Sequence, residues 1–302
     1  ALTYIIGQVS APIGEFIGFA QSLQDARISL ERLNEIPAQD DEEKDIDQKL
    51  SVLPTDRSIH IRNLSFSYSG AARDYALRNV DIDIPGQKVT AIVGESGCGK
   101  TTLLKLIQGF YLPSEGCVKV GDVNLNLINP HLWRKSTGSV MQESFIFSDT
   151  IANNIALSTD DVDVARMLHA AQMANISDFI ASLPLGYNTR IGMEGNGISA
   201  GQRQRILLAR AIYKDPEFMF FDEATNSLDA TNERIIMNNL RKCYEGKTVI
   251  ISAHRLSTIK DADQIIVLHQ GKVVEQGTHE ELLQARGYYF KLVENQMNTN
   301  TL

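Results

Sequence analysis

The stretch KVTAIVGESGCGKTTLLKLIQGF, residues 88–110, constrains this 302-residue chain more than any other. KVTAIV is a short apolar run of strand type, and TTLLKLIQ has helical spacing. Between them Gly94, Glu95, Ser96, Gly97, Cys98, Gly99, Lys100 and Thr101 fit G-x-x-x-x-G-K-[ST], in the strand-to-helix context that this loop needs. Glycines let successive backbone amides close around phosphate oxygens, and the following helix presents its positive end. Lys100 then reaches the terminal phosphates, Thr101 offers a hydroxyl to magnesium, and Thr102 follows in the same turn.

The remaining pattern suits that loop. Apolar runs at FMFF (218–221), TVIIS (248–252) and QIIVLH (264–269) alternate with helical stretches, which predicts a parallel sheet covered by helices. SIHIRNLSFSY and LRNVDIDI are alternating runs near the start of this region and predict an antiparallel sheet, whereas helical patterns dominate residues 155–215. The expected fold class is therefore α/β, a P-loop NTPase with an antiparallel β subdomain and a helical subdomain.

Upstream, ALTYIIGQVSAPIGEFIGFAQSL is apolar at helical intervals but is interrupted by Gln8, Pro12 and Glu15, short of a complete membrane span. The helix is expected to continue through QDARISLERLNEI, with Leu23, Ala26, Leu30 and Leu33 in one stripe, and to stop at Pro37. AQDDEEKDIDQKL is acidic and poor in core residues, so a linker is expected at 37–53. The domain division is then 1–36, 37–53 and 54–298, with the helical subdomain at about 143–215.

With 43% hydrophobic residues the chain has ample core material, and its net charge of -8 disfavours nucleic acid as a partner. Cys98, Cys117 and Cys243 are odd in number and lack paired spacing, which points away from disulfides or a zinc site and towards a reducing compartment. Cys98 reads first as a small residue that the loop can hold; the alternative is a reactive thiol whose pKa is lowered by the helix's positive end.

FMFFDE ends an apolar strand in two acids. Such a pair caps a helix start as often as it catalyses. Downstream of a phosphate loop, Asp222 is placed to hold magnesium and Glu223 to polarise an attacking water. His254 follows the next strand, TVIIS, at the edge where open parallel sheets bind ligands, and reads as a contact to the terminal phosphate or water.

These residues resemble the nucleotide-binding domain of ABC transporters. ISAGQ (198–202) stands where that family has its signature, followed by RQRILLARA, and the likeness extends over about residues 58–297. Its ordered landmarks are Tyr68, the glycine loop, Gln142, the signature, FMFFDE, SLD (227–229) and His254. The resemblance implies an ATPase using ATP and Mg2+, active as a homodimer that sandwiches nucleotide between the glycine loop of one subunit and the signature turn of the other. It implies that Tyr68 stacks on adenine, that Thr101, Asp222 and Gln142 surround magnesium, and that Glu223 is the general base, assisted by His254, with Lys100 on the phosphates. Ser199, Ala200, Gly201 and Gln202 would complete the site in trans, and Asp229 would couple the two sites. A monomer is then expected to bind ATP and hydrolyse it poorly.

Two positions depart from the family pattern. Ala200 stands where glycine is usual, which costs little in an ordinary backbone conformation and much at positive φ. In TRIGMEGNG, Met193 occupies the position of an acid, with Glu194 one residue later.

The first 36 residues resemble the cytoplasmic end of the last transmembrane helix of ABC exporters, and MQESFIFSDTIANNI (141–155) resembles the exporter loop that meets the membrane domain. Location at the cytoplasmic face of the cell membrane, attached to the protein's own transmembrane domain, is implied. Within exporters, residues 191–230 most resemble peptidase-containing bacteriocin or peptide exporters. Lipid or multidrug export, and a soluble ABC ATPase without a transport role, are the alternatives.

Overall fold

The computed structural model describes residues 2–35, 46–70, 74–158, 162–192, 197–226, 228–253 and 259–299. The expected roles of His254, Ser227, Met193 and Glu194, the expected helix stop at Pro37 and the linker residues 37–45 lie outside these residues. The chain divides into two units, Ala1–Gln48 and Lys49–Leu302.

Among its described residues the first unit has one long helix, α1 (Leu2–Glu35), and a 3-10 turn, Ile46–Gln48. Pro12 lies inside the helix, where its missing N–H removes one ladder hydrogen bond. Leu23, Leu30 and Leu33 of the expected stripe are exposed, as are Ile13, Phe16 and Ile17. Among the described residues, no helix is long and apolar enough to cross a membrane.

In the second unit the expected parallel sheet has six strands. Its members are β3 (Val89–Val93), β6 (Thr137–Val140), β9 (Phe218–Asp222), β10 (Thr248–Ser252), β11 (Gln264–His269) and β12 (Lys272–Gly277), in the order β12-β11-β3-β10-β9-β6. All neighbours pair in parallel except β11 with β12. Continuous apolar runs suit these strands because both faces are covered. Phe218, Phe220, Ile250, Ile92 and Ile266 enter one core, while Met219, Phe221, Ile251, Val93 and Val267 alternate into the other.

The expected antiparallel sheet is present with four strands. β1 (Ile59–Phe66) lies between β2 (Leu77–Ile84) and β4 (Glu115–Val120), and β5 (Val123–Asn124) pairs with β4. In β2, Leu77, Val80, Ile82 and Ile84 point inward, in the same core as Leu103 and Leu104 of helix α2 (Lys100–Ile107). That helix is thus clamped between the two sheets. A short helix α3 (Pro130–Ser136), capped by Asn129, leads into β6.

On the other face lie α4 (Ile151–Ala156), α5 (Val164–Met173), α6 (Ser177–Ser182) and α7 (Ala200–Lys214), with a two-stranded ladder of β7 (Asp149–Thr150) and β8 (Arg190–Ile191). Ile206, Leu208, Ala209 and Ile212 of α7 are buried in the second core. Burial stabilises by roughly 1.5–3 kcal/mol for each large aliphatic side chain. Helices α8 (Ala230–Cys243), α9 (His279–Ala285) and α10 (Tyr288–Thr299) belong to the same unit.

Parallel register brings the strand ends to one edge. Ser252 pairs with Asp222, Val140 with Phe221, and Val267 with Val93. The ends of β3, β6, β9 and β10 therefore lie side by side, at the edge where such sheets bind ligands.

Candidate nucleotide-binding site

The loop after β3 has the backbone its glycines permit. Gly94, Gly97 and Gly99 have φ of 153°, 78° and 109°. A Cβ on Gly94 would lie 2.2 Å from the Leu268 carbonyl oxygen, and one on Gly99 would lie 2.7 Å from Leu77 Cδ2. Glycine is required at both positions by close approach as well as by conformation. Gly99 is the N-cap of α2 and supplies no side-chain cap, so the first amides of that helix remain available to an anion.

Lys100 is buried, and its Nζ donates to the carbonyl oxygens of Gly94 and Glu95, each at 2.9 Å. The ammonium therefore lies across the mouth of the loop, with Glu95, Ser96 and Gly97 exposed at its crown. Next in the chain, Thr101 Oγ1 donates to Asp222 Oδ2 at 2.7 Å. Asp222 is 2% exposed at the end of β9. A hydroxyl and a carboxylate so placed are hard oxygen donors suited to a small divalent cation that completes its shell with water and phosphate. Among the described residues, no cluster of three or more His, Cys, Asp or Glu offers a metal cage made of protein alone.

Glu223, one residue beyond, has φ of 52°, an uncommon conformation for a side chain of this size. Its N–H donates to the Ser252 carbonyl (2.9 Å), its carbonyl accepts from Gln204 Nε2 (3.2 Å), and its carboxylate accepts from Asn226 Nδ2 (2.6 Å). Gln204 and Asn226 carry no role in the sequence reading. Both sit inside quoted motifs, but nothing in residue type or spacing shows that they meet Glu223.

Tyr68 stands at the end of β1 with its ring largely exposed, its hydroxyl 3.1 Å from Thr102 Oγ1. Phe66 and Tyr111 meet it edge to face, with centroids at 4.9 and 5.4 Å, and fix the ring's orientation. An aromatic face is thereby held beside the first turn of α2.

Gln142 lies on the exposed turn after β6 and makes no hydrogen bond to the Thr101–Asp222 pair. The turn's continuation is held from behind. Arg210 of α7 donates to the carbonyls of Phe145 (2.9 Å) and Asn154 (2.8 Å) and to Asn154 Oδ1 (3.1 Å). Burial pulls its pKa down to about 10.

Ser199 is the N-cap of α7. Its Oγ accepts from the Gln202 N–H (3.2 Å), and Gln202 Oε1 accepts from the Ser199 N–H (2.8 Å), forming a reciprocal capping box. Ala200 begins the helix, is exposed and has no positive φ, so its methyl meets no backbone penalty. Gly201 is the second helical residue. Asp229 caps α8, accepting from the N–H groups of Thr231 (3.1 Å) and Asn232 (3.0 Å). A further bond from Asn232 Nδ2, and then these two, hold its carboxyl below the usual range. Neither Ser199 nor Asp229 hydrogen-bonds to the glycine loop of its own chain.

For Cys98 the structure goes against the reactive-thiol alternative. Cys98 is buried, and burial raises its thiol pKa by more than the nearby Lys100 ammonium lowers it. Its Sγ is packed against Gly94, where an added Cβ would stand 2.6 Å away. The positive helix end does not make it a ready thiolate, because desolvation of the anion costs more.

A glycine loop joining a parallel strand to a helix, with an acid from a neighbouring strand on its threonine, defines a P-loop nucleotide-binding protein. The family model described as "ABC transporter" matches residues 77–226. Leukotoxin translocation ATP-binding protein LktB from Mannheimia glucosida is 42% identical over 299 residues, covering 99% of this chain and 42% of that protein. LktB from Bibersteinia trehalosi matches with the same identity and coverage. A solved structure of a bacterial Atm1-family ABC exporter with ATP bound superposes with a TM-score of 0.83 at 35% identity, covering 90% of this chain and 47% of that one. The chain belongs to the ABC transporter family, and what it comprises is an ATP-binding domain. It spans 42% of the length of these curated relatives.

Proposed function

We propose that this chain binds and hydrolyses MgATP in a head-to-tail pair of copies and thereby powers export across a membrane. Within one copy, the Gly94–Thr102 loop takes the phosphates, Lys100 neutralises them and Tyr68 stacks on the adenine. Thr101 and Asp222, with Gln142 brought in on closure, hold the magnesium ion, which when bound offsets charge on the phosphate oxygens. Glu223 accepts a proton from the attacking water, and His254 assists the terminal phosphate. The partner's signature turn presents the Ala200 and Gly201 amides and the Ser199 hydroxyl, and Asp229 links the two sites. Positioning and charge stabilisation supply most of the catalysis.

The observation that carries this reading is the Thr101–Asp222 contact at 2.7 Å, with Glu223 held next to it in a left-handed conformation. Hydrolysis by Glu223→Gln should fall by about a hundredfold or more while ATP binding persists and a nucleotide-dependent dimer accumulates. Turnover by that variant near the wild-type rate would remove Glu223 from the role of base.

The exported substrate is a peptide or protein, by likeness to relatives named for leukotoxin translocation. α1 is then the cytoplasmic end of the last transmembrane helix, and the domain works at the cytoplasmic face of the cell membrane. The intact transporter reconstituted in liposomes should show ATPase activity stimulated by peptide substrates. Stimulation by lipids or hydrophobic drugs alone would favour the other export class.

A further inference from the structure

A tyrosine of the last described helix lies beside the phosphate loop. Tyr288 opens α10, and its start is fixed by Glu275 of β12, whose two carboxylate oxygens accept the N–H groups of Tyr288 and Tyr289, the second at 2.9 Å. Gly287 makes this possible, since a Cβ there would lie 1.8 Å from the Glu275 carboxylate. The Tyr288 ring rests on His269 at the end of β11, with centroids 4.5 Å apart. The turn after His269 is itself joined to the loop, the Gly271 N–H donating to the Cys98 carbonyl at 3.1 Å.

So placed, the Tyr288 hydroxyl is shut off from solvent and has no well-formed hydrogen bond. The Glu95 carboxylate and the neutral Cys98 thiol, both in the phosphate loop, lie within reach of it. Burial first, and then Glu95, push the phenol pKa up to about 12, so it remains a neutral donor. A buried hydroxyl without a partner destabilises a fold, and phenylalanine at this position would fill the same space without that cost. Glu95 is equally at odds with its surroundings: it places a negative charge in a loop built to receive a triphosphate.

We propose that Tyr288 is a positioning residue for nucleotide binding, its hydroxyl donating to Glu95 and holding that carboxylate away from the incoming phosphates. The orphaned donor and the misplaced charge then answer one another, and α10 becomes a strut that sets the electrostatics of the loop without touching ATP. The inference rests on the reading of that loop as the ATP site.

Tyr288→Phe, Glu95→Gln and the double variant of the 302-residue chain test it, by titration with MgATP and by thermal unfolding without nucleotide. Tyr288→Phe should weaken MgATP binding by about threefold to tenfold. Its Tm should be equal to or above that of the wild type. In the Glu95→Gln background, measured against the affinity of that single variant, adding Tyr288→Phe should cause no further loss. A wild-type Kd in Tyr288→Phe overturns the inference alone, as does an equal loss in the Glu95→Gln background, which would mark a purely structural role. Absence of saturable MgATP binding by the wild-type chain overturns the reading of the site, and the inference with it.

Discussion

Thr101 Oγ1 donates to Asp222 Oδ2 at 2.7 Å, although the two residues are 121 positions apart. The contact joins the first turn of α2 to the end of β9, and it leaves the buried Asp222 carboxylate with a partner. Thr101→Val keeps the shape and removes the donor. We expect Mg-dependent ATPase activity to fall by about a hundredfold. Stability without metal should fall by about 1–3 kcal/mol through the unsatisfied carboxylate. Urea titration beside a magnesium-dependent rate assay separates the two effects; a variant with full activity would place the cation elsewhere.

Ser199 has two tasks in this reading, one visible in the single chain and one requiring a second. Ser199→Ala removes the N-cap of α7 and should cost about 1 kcal/mol of stability. If the hydroxyl also acts across a dimer, turnover should drop by about a hundredfold, far more than that stability loss explains. Specific activity of the wild type should fall on dilution. Activity per chain that is constant over a wide dilution series would rule out the shared site.

Ala200 provides the complementary case. Because it begins α7 with an ordinary backbone and an exposed methyl, Ala200→Gly should change turnover by less than roughly twofold and should lower helix stability by up to about 1 kcal/mol. A large gain in rate from the glycine would show that the methyl obstructs the site.

Cys98 should be a slow nucleophile near neutral pH. Its folded-state thiol pKa is raised, so the thiolate fraction at pH 7 is smaller than that of a free cysteine and grows as pH rises through and beyond the ordinary thiol range. Maleimide labelling should be slow at pH 7, accelerate with pH and be slowed further by MgATP. Labelling at the rate of an exposed thiol at pH 7 would contradict this burial.

Arg210 is a structural cation. It spends its donors on backbone carbonyls of Phe145 and Asn154 and lies over the Phe147 ring at 5.4 Å. Arg210→Met should destabilise the domain by about 2–4 kcal/mol, because buried acceptors lose charged donors. Amide exchange should rise first across residues 143–157. Unchanged protection there would mean that the turn after Gln142 is held by other contacts.

The glycine loop, its strand and its helix were legible because their requirements are local: Gly94, Gly97 and Gly99 need positive φ, and an apolar run must lead in. FMFFD and TVIIS were legible as buried strands for a similar reason, since a strand covered on both faces has to be apolar throughout. β6, with its short TGSV, and β12, with KVVEQG, carry no such pattern and owe their state to pairing with β9 and β11. At the site, Thr101, Asp222 and Glu223 were legible as candidates from residue type alone. The contacts of Gln204, Asn226 and Tyr288 were not, for each meets its neighbour only where the chain's return brings the two together.

The sequence by itself determined which backbone conformations the phosphate loop adopts, where the paired acids end a strand, and the family to which the domain belongs. Only the tertiary structure decided that the thiol of Cys98 is held neutral, that Ala200 sits without strain, and that Tyr288 faces Glu95. Steric rules act between adjacent residues and are written in their order. Desolvation and charge depend on what is packed alongside, which a linear chain does not state.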